Sequence, residues 1–379
     1  MSGNKRILFL TGTRADYGKM KPLMMLLEDS TDFELYVYVC GMHLSDIHGS
    51  TYREIQKDNY RNIYIAFGLE GTTSQSANLG DTIRSLSGYV EAVSPDMIVV
   101  HGDRMDALAG AVVGVLHNIL VAHIEGGELS GTMDESIRHA ISKFAHLHFV
   151  CNADAEKRLI QMGEEAYRIH VIGSPDIDVM MSDRLPTMKD VRERYDISFE
   201  KYGILMYHPV TTEHEKVGQH ISTIADALIK SNNNYIVIYP NNDLGSEIII
   251  NEYQRFNGNR HFRVFPSVRF EYFLSMLKNA DHIIGNSSAG VREAGVYGIP
   301  AIDLGTRQEG RYDVNLSSNI IHSNETVSEI LTAIDNVESY RKHVMFFGDG
   351  HSTDRFVSIL SDESLWNTTV QKHFVDMNL

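Results

Sequence analysis

Met97-Ile98-Val99-Val100-His101-Gly102-Asp103-Arg104 and, one helix-length later, Leu120-Val121-Ala122-His123-Ile124-Glu125-Gly126-Gly127-Glu128 decide the fold. Each is a short, near-continuous apolar run that breaks abruptly into charged and glycine residues. A strand that is apolar on both sides belongs to a parallel sheet covered on both faces. Working towards the N-terminus, Ile7–Leu10 leads into Thr11-Gly12-Thr13-Arg14 and then a helix-period face of Met20, Leu23, Met24 and Leu27. Leu35–Cys40 ends at Gly41-Met42-His43, and Leu147–Cys151 and His170–Ile172 continue the series.

A polar stretch around 182–187, with Pro186, reads as a linker, after which the pattern restarts. Gly203–Tyr207 ends at His208-Pro209, Tyr235–Tyr239 at Pro240-Asn241-Asn242-Asp243, and Arg263–Phe265 at Pro266-Ser267. His282–Ile284 ends at Gly285-Asn286-Ser287-Ser288, and Ala301–Leu304 at Gly305-Thr306-Arg307. The expected architecture is α/β, with two Rossmann-like domains facing across a cleft. One domain takes residues 1–180 plus about 355–379, whose last helices pack back onto it; the other takes 181–354. In open parallel sheets ligands bind beyond the carboxyl ends of the strands, and that is where the polar residues gather.

Composition limits the partners. The 379 residues are 43% hydrophobic and 22% charged, an ordinary globular balance for two domains. A formal net charge of −16 argues against a polynucleotide partner, which requires a basic face, but not against a small anion held by a few placed cations and helix N-termini. Cys40 and Cys151 each follow an apolar run and read as buried free thiols. The apolar run after Lys5-Arg6 is too short for an export signal, and no stretch is long enough to span a bilayer. A cytoplasmic location is the expectation.

Three constellations carry chemistry. Asp103, Glu125 and Asp134, with Arg138 and His139 nearby, place several carboxyl groups where acid and base roles can be divided. An anion site is expected at Arg14, where a guanidinium and the backbone N–H groups of the first strand–helix turn can share a phosphate. It has a counterpart in Gly285-Asn286-Ser287-Ser288, which opens a helix with Arg292 and Glu293 in its first turns. There Ser288 could equally serve as a helix cap. Neither turn has dinucleotide or Walker spacing. His208 and His214 lack metal-site spacing, and Pro209 stops a helix between them, so no metal is expected.

The blocks named above, together with His123 through Thr132 and Asp134-Glu135-Ser136-Ile137-Arg138-His139, resemble the hydrolysing UDP-N-acetylglucosamine 2-epimerases that feed sialic-acid synthesis. The resemblance runs in order over nearly the whole chain. It implies a glycosyltransferase-B architecture, release of UDP and an N-acetylmannosamine-type sugar, no required cofactor, and a homodimer or homotetramer. By motif match, Asp103, Glu125 and Asp134 take the catalytic positions. Arg14, His208, Ser287, Ser288 and Glu293 take the nucleotide positions, with Asn241 and Asp243 at the cleft and Arg104 and Arg307 completing the binding set. Where the family has an Asp-Asp pair, this chain has Asp134-Glu135, so Asp134 is the better match. The alternative substrate is UDP-2,4-diacetamido-2,4,6-trideoxyglucose (UDP-N,N'-diacetylbacillosamine), used on the way to legionaminic acid. A retaining glycosyltransferase and a non-catalytic nucleotide-sugar sensor are the alternatives from other classes.

Overall fold

The computed structural model describes residues 4–68, 74–130, 133–241, 243–312 and 318–376. Gly131, Thr132 and Asn242, quoted in the motif blocks, lie outside the described residues. Two compact units emerge: the first is Met1–Glu128, Asp134–Met181 and Phe347–Leu379, the second Leu129–Met133 and Ser182–Phe346.

The first unit holds seven strands: β1 (Lys5–Thr11), β2 (Phe33–Val39), β3 (Ile63–Ile65), β4 (Met97–His101), β5 (Leu120–Ile124), β6 (Leu147–Val150) and β7 (Ile169–Val171). Their order is β3-β2-β1-β4-β5-β6-β7, all parallel, so the winding direction reverses between β1 and β4. The continuous apolar runs have a direct cause. Ile7 and Phe9 of β1 enter the core on one face with Met97 and Val99 of β4, while Leu8 and Leu10 enter the other with Ile98 and Val100. The helix Ser352–Leu360 adds Phe356 to the first of these cores, edge-on to Phe9 and to Phe149. Burying a side chain of that size contributes about 1.5–3 kcal/mol, enough to hold this late segment on the first unit.

The second unit has β8 (Gly203–Met206), β9 (Tyr235–Ile238), β10 (Phe262–Phe265), β11 (His282–Gly285), β12 (Ala301–Leu304) and β13 (Ile320–Ser323), in the parallel order β10-β9-β8-β11-β12-β13. Its reversal falls between β8 and β11. In both units the residues singled out from sequence therefore stand at or beside the switch point, where open α/β sheets bind ligands. Among the described residues no helix is long and apolar enough to cross a membrane.

Candidate active site

In the first unit one guanidinium organises the carboxyl edge. Arg138, in the helix Met133–Phe144, is buried; its Nη2 pairs with the Asp103 carboxylate and its Nη1 donates to the backbone oxygen of Glu125 at 2.6 Å. Its Nη1 also lies 3.9 Å from Glu128. A forked, always-charged group is suited to holding two such loops in fixed relation. Asp103 follows β4 and Glu125 follows β5, so the Asp103–Arg138 pair and Glu125 sit on neighbouring strand ends. Asp134 is half-buried in the first turn of the same helix and one turn before Arg138, hence on the same helical side.

Glu125 has the more constrained surroundings. Its backbone is left-handed, with φ +61°, a conformation uncommon outside glycine and usually retained where surrounding bonds enforce it. The enforcing bonds are its N–H to Phe149 O at 2.9 Å and its carbonyl to Arg138. The buried carboxylate accepts from the Ser174 hydroxyl, and lies 3.2 Å from His101 Nε2 and 3.7 Å from Lys19 Nζ. Lys19 in turn pairs with the fully buried Asp176 at 2.9 Å. The two glycines that follow are dictated by packing. A Cβ on Gly126 would stand 2.8 Å from His123 Nδ1, and Gly127 combines φ +74° with a Cβ position 2.4 Å from Ala155 O. Gly127→Ala should therefore cost about 1–3 kcal/mol of unfolding free energy, measured by denaturant titration; an unchanged midpoint would show that the turn can relax.

Lys19, Ser174 and Asp176 were absent from the expected site. Gly173-Ser174-Pro175-Asp176 follows β7 and passes the same strand-end test as the other loops, so that test applied at β7 would have found Ser174 and Asp176. Lys19 carries no such signal. It lies within the apolar helix face of Met20, Leu23 and Met24, where a cation reads as a surface residue.

At the first strand–helix turn the backbone N–H groups expected to help hold an anion are already bonded, which leaves the Arg14 guanidinium as the candidate there. The N–H groups of Gly12 and Thr13 are taken by the Asp16 carboxylate at 3.1–3.2 Å, and Thr13 returns a bond to the Asp16 N–H. A reciprocal cap, not a phosphate, satisfies these donors. Arg14 opens the helix Arg14–Glu28 and pairs with Glu54 at 3.0 Å. Arg104 occupies the N-cap position of the helix Met105–Leu116.

The second unit is organised by a residue that the sequence places only inside a motif. Asn286, fully buried, accepts from the His208 N–H at 2.7 Å and donates to the His208 carbonyl at 2.9 Å. Its own carbonyl accepts from Arg307 Nη1 at 3.2 Å and Gln308 Nε2 at 2.7 Å. One side chain and one carbonyl thus tie the loops after β8, β11 and β12. The Asn241 N–H donates to His208 Nδ1 at 3.0 Å, adding the loop after β9. That bond also fixes the tautomer: an Nδ1 that accepts carries no proton, so the ring presents Nε2–H as a donor.

The Asn241 side-chain amide pairs with the Asp243 carboxylate, and Asp243 is buried. Ser287, not Ser288, is the N-cap, accepting from the Ala289 N–H at 3.3 Å. The helix it opens is short, Ser288–Val291, and after Arg292 a second one runs Glu293–Val296, with both Arg292 and Glu293 buried. The small residues serve close approach here, since a Cβ on Gly285 would stand 2.0 Å from Met206 O. Among the described residues no three His, Cys, Asp or Glu side chains are grouped as metal ligands would be.

Comparison with known proteins agrees with this layout. The model of the family described as UDP-N-acetylglucosamine 2-epimerase matches residues 25–361. A UDP-N-acetylglucosamine 2-epimerase of Neisseria meningitidis serogroup B is 47% identical over 380 residues, covering 99% of this chain and 100% of its own. A UDP-N,N'-diacetylbacillosamine 2-epimerase (hydrolyzing) of Legionella pneumophila is 32% identical, covering 97% and 98%. Of solved structures, the Methanocaldococcus jannaschii UDP-GlcNAc 2-epimerase in complex with UDP-GlcNAc and UDP superposes with a TM-score of 0.78 over 94% of this chain and 99% of its own; at 21% identity it shows the shared fold. With two parallel-sheet α/β units, a family match across most of the chain and a 47%-identical relative of equal extent, the chain belongs to the UDP-N-acetylglucosamine 2-epimerase family.

Proposed function

We propose that this chain converts UDP-N-acetylglucosamine and water to UDP and N-acetylmannosamine. The observation that carries the proposal is the Arg138 bridge, which fixes the Asp103 carboxylate and the Glu125 loop on adjacent strand ends. Inversion at C2 beside an acetamido group is difficult because that proton is not acidic. Departure of UDP from C1 gives the ring oxocarbenium character and acidifies C2–H. Asp103 then removes that proton, the C2–H electron pair becomes the C1–C2 double bond, and 2-acetamidoglucal results. Water adds across the double bond, hydroxyl to C1 and a proton to the opposite face of C2. Glu125 and Asp134 share proton return and water activation in this scheme.

The departing diphosphate needs preorganised donors. His208 Nε2–H, the Ser287-Ser288 turn, Arg307 and Arg14 are assigned that task, with Arg104, Asn241, Asp243 and Glu293 completing the contacts to the substrate. No hydride moves, so the scheme asks for no nicotinamide, and it routes no step through a metal.

The 47%-identical relative favours UDP-N-acetylglucosamine as substrate over UDP-N,N'-diacetylbacillosamine, whose epimerase is 32% identical. Comparing kcat/KM for the two sugars decides between them. The chemistry is tested in deuterium oxide: the released sugar should carry deuterium at C2, and a product unlabelled there would end the elimination–hydration scheme.

A further inference from the structure

We infer that Lys372, in the tail beyond the last helix, is a positioning residue for the Asp103–Arg138 pair, acting through the far end of the helix that carries Arg138. The tail is tethered to the first unit before it reaches this point. Arg168 Nη1 donates to Thr369 O at 3.2 Å, and His146 Nε2 bonds Val370 O at 2.9 Å. Lys372 Nζ then donates to the carbonyls of Ser142, Lys143 and Ala145 at 3.2, 3.1 and 2.7 Å, and to the Glu164 carboxylate. The first two carbonyls close the helix Met133–Phe144, and the third is the next residue. An ammonium has three donors and here meets four acceptors, at the end of a helix where the dipole favours positive charge.

Glu164 makes this a built contact and not a surface one. Its side chain is wholly buried, and it also receives Lys143 Nζ at 2.7 Å and His148 Nε2 at 3.1 Å. Burial pushes its acidity towards the neutral form, but the bonds from His148, Lys143 and Lys372 more than offset that and hold its pKa at about 2. A lysine gives up about 1.5–2 kcal/mol of rotamer freedom when it is fixed, so its placement is maintained by these four acceptors acting together.

Two connections lead from the fixed helix end to the reacting groups. Arg138 lies one turn upstream of Ser142 in the same helix and holds Asp103 and the Glu125 carbonyl. Ser142 Oγ is 3.2 Å from His123 Nδ1, and His123 Nε2 is 2.8 Å from the carbonyl of Gly102, the residue before Asp103. The carboxylate is thus held from its side chain and from its backbone, and both paths start at the helix end that Lys372 ties down.

This inference rests on the proposed role of Asp103, and the full-length chain separates the two. Lys372→Met keeps the stem and removes every donor. It should lower kcat about tenfold, the scale of a displacement well below 1 Å at reacting groups, with KM and calorimetric UDP affinity within about twofold of wild type. Ser142→Ala cuts the His123 connection without disturbing a charge and should lower kcat severalfold in the same pattern. If Lys372→Met does not fold, Lys372→Arg carries the test of the tail contact by the same kcat, KM and UDP-affinity readouts. It keeps the charge but not the compact ammonium that meets these acceptors together. An unchanged kcat per folded molecule in the Lys372 variant or in Ser142→Ala overturns the inference, as does a fall in UDP affinity that accompanies the fall in kcat. A wild-type chain that releases no UDP from either UDP-sugar ends the functional reading itself, whereas an active wild type with unaltered variants ends only this inference.

Discussion

Asp103→Asn should lower turnover by about 10² or more while UDP binds as before, because the substitution removes a proton acceptor and almost no volume. The geometry sharpens why. Asp103 is joined to Arg138, and Arg138 is separately held by the Glu125 carbonyl, so an asparagine at 103 still finds a donor and the loop stays in place. The variant therefore isolates proton transfer from positioning. UDP contacts are assigned to other residues, so calorimetric affinity for UDP should match wild type. Deuterium incorporation at C2 should fall in step with turnover if Asp103 is the base. Near-normal rates would remove it from the mechanism; a slow variant that still exchanges C2–H at the wild-type rate would move it to a later step. Arg138→Ala makes a useful contrast, since it leaves the acceptor but frees both loops, and a carboxylate out of place is as ineffective as none.

The strands were readable in the sequence for a physical reason that also marks the limits. The middle stretches of β1, β4 and β5 are buried on both faces, so consecutive apolar residues are required there and the run stands out. The edge strand β3 spans three residues of intermediate or high exposure and leaves no such trace; β13 is buried only at its two ends. The same logic divides the site. Asp103, Glu125 and His208 were visible because they interrupt apolar runs. Asp176 and Lys19 were not paired in advance, since nothing local relates a lysine inside an apolar helix face to a loop after β7. Asp16 is hidden in a similar way. Its carboxylate meets the very N–H groups that a phosphate would use, and only the folded turn reveals the competition. Asn286 stands in the sequence only as one member of the Gly285-Asn286-Ser287-Ser288 turn. Its bonds to His208 exist because β8 and β11 are neighbours in the sheet, although two strands lie between them in the chain.

Asn286→Ala should accordingly weaken UDP binding by about 10- to 100-fold, with a smaller effect on kcat at saturating substrate. The side chain satisfies both the N–H and the carbonyl of His208, and each polar group left without a partner in a buried setting costs about 1–3 kcal/mol. Relief comes only if the loop after β8 shifts. That shift would carry the His208 ring away from Asn241, whose N–H now sets its tautomer, and the Nε2–H donor would no longer be presented in one direction. Arg307 and Gln308 are spared the direct loss, because they bond to the backbone oxygen of Asn286, so the second sheet should remain folded. The effect should therefore appear in the dissociation constant for UDP and in KM, the signature of binding shared by ground and transition states. Asn286→Asp is the finer probe: it keeps the acceptor for the His208 N–H but sets an oxygen against the His208 carbonyl, and should fall between alanine and wild type. If both variants bind UDP as tightly as the parent chain, the junction of β8, β11 and β12 is a structural knot alone, and the nucleotide must be held by other residues.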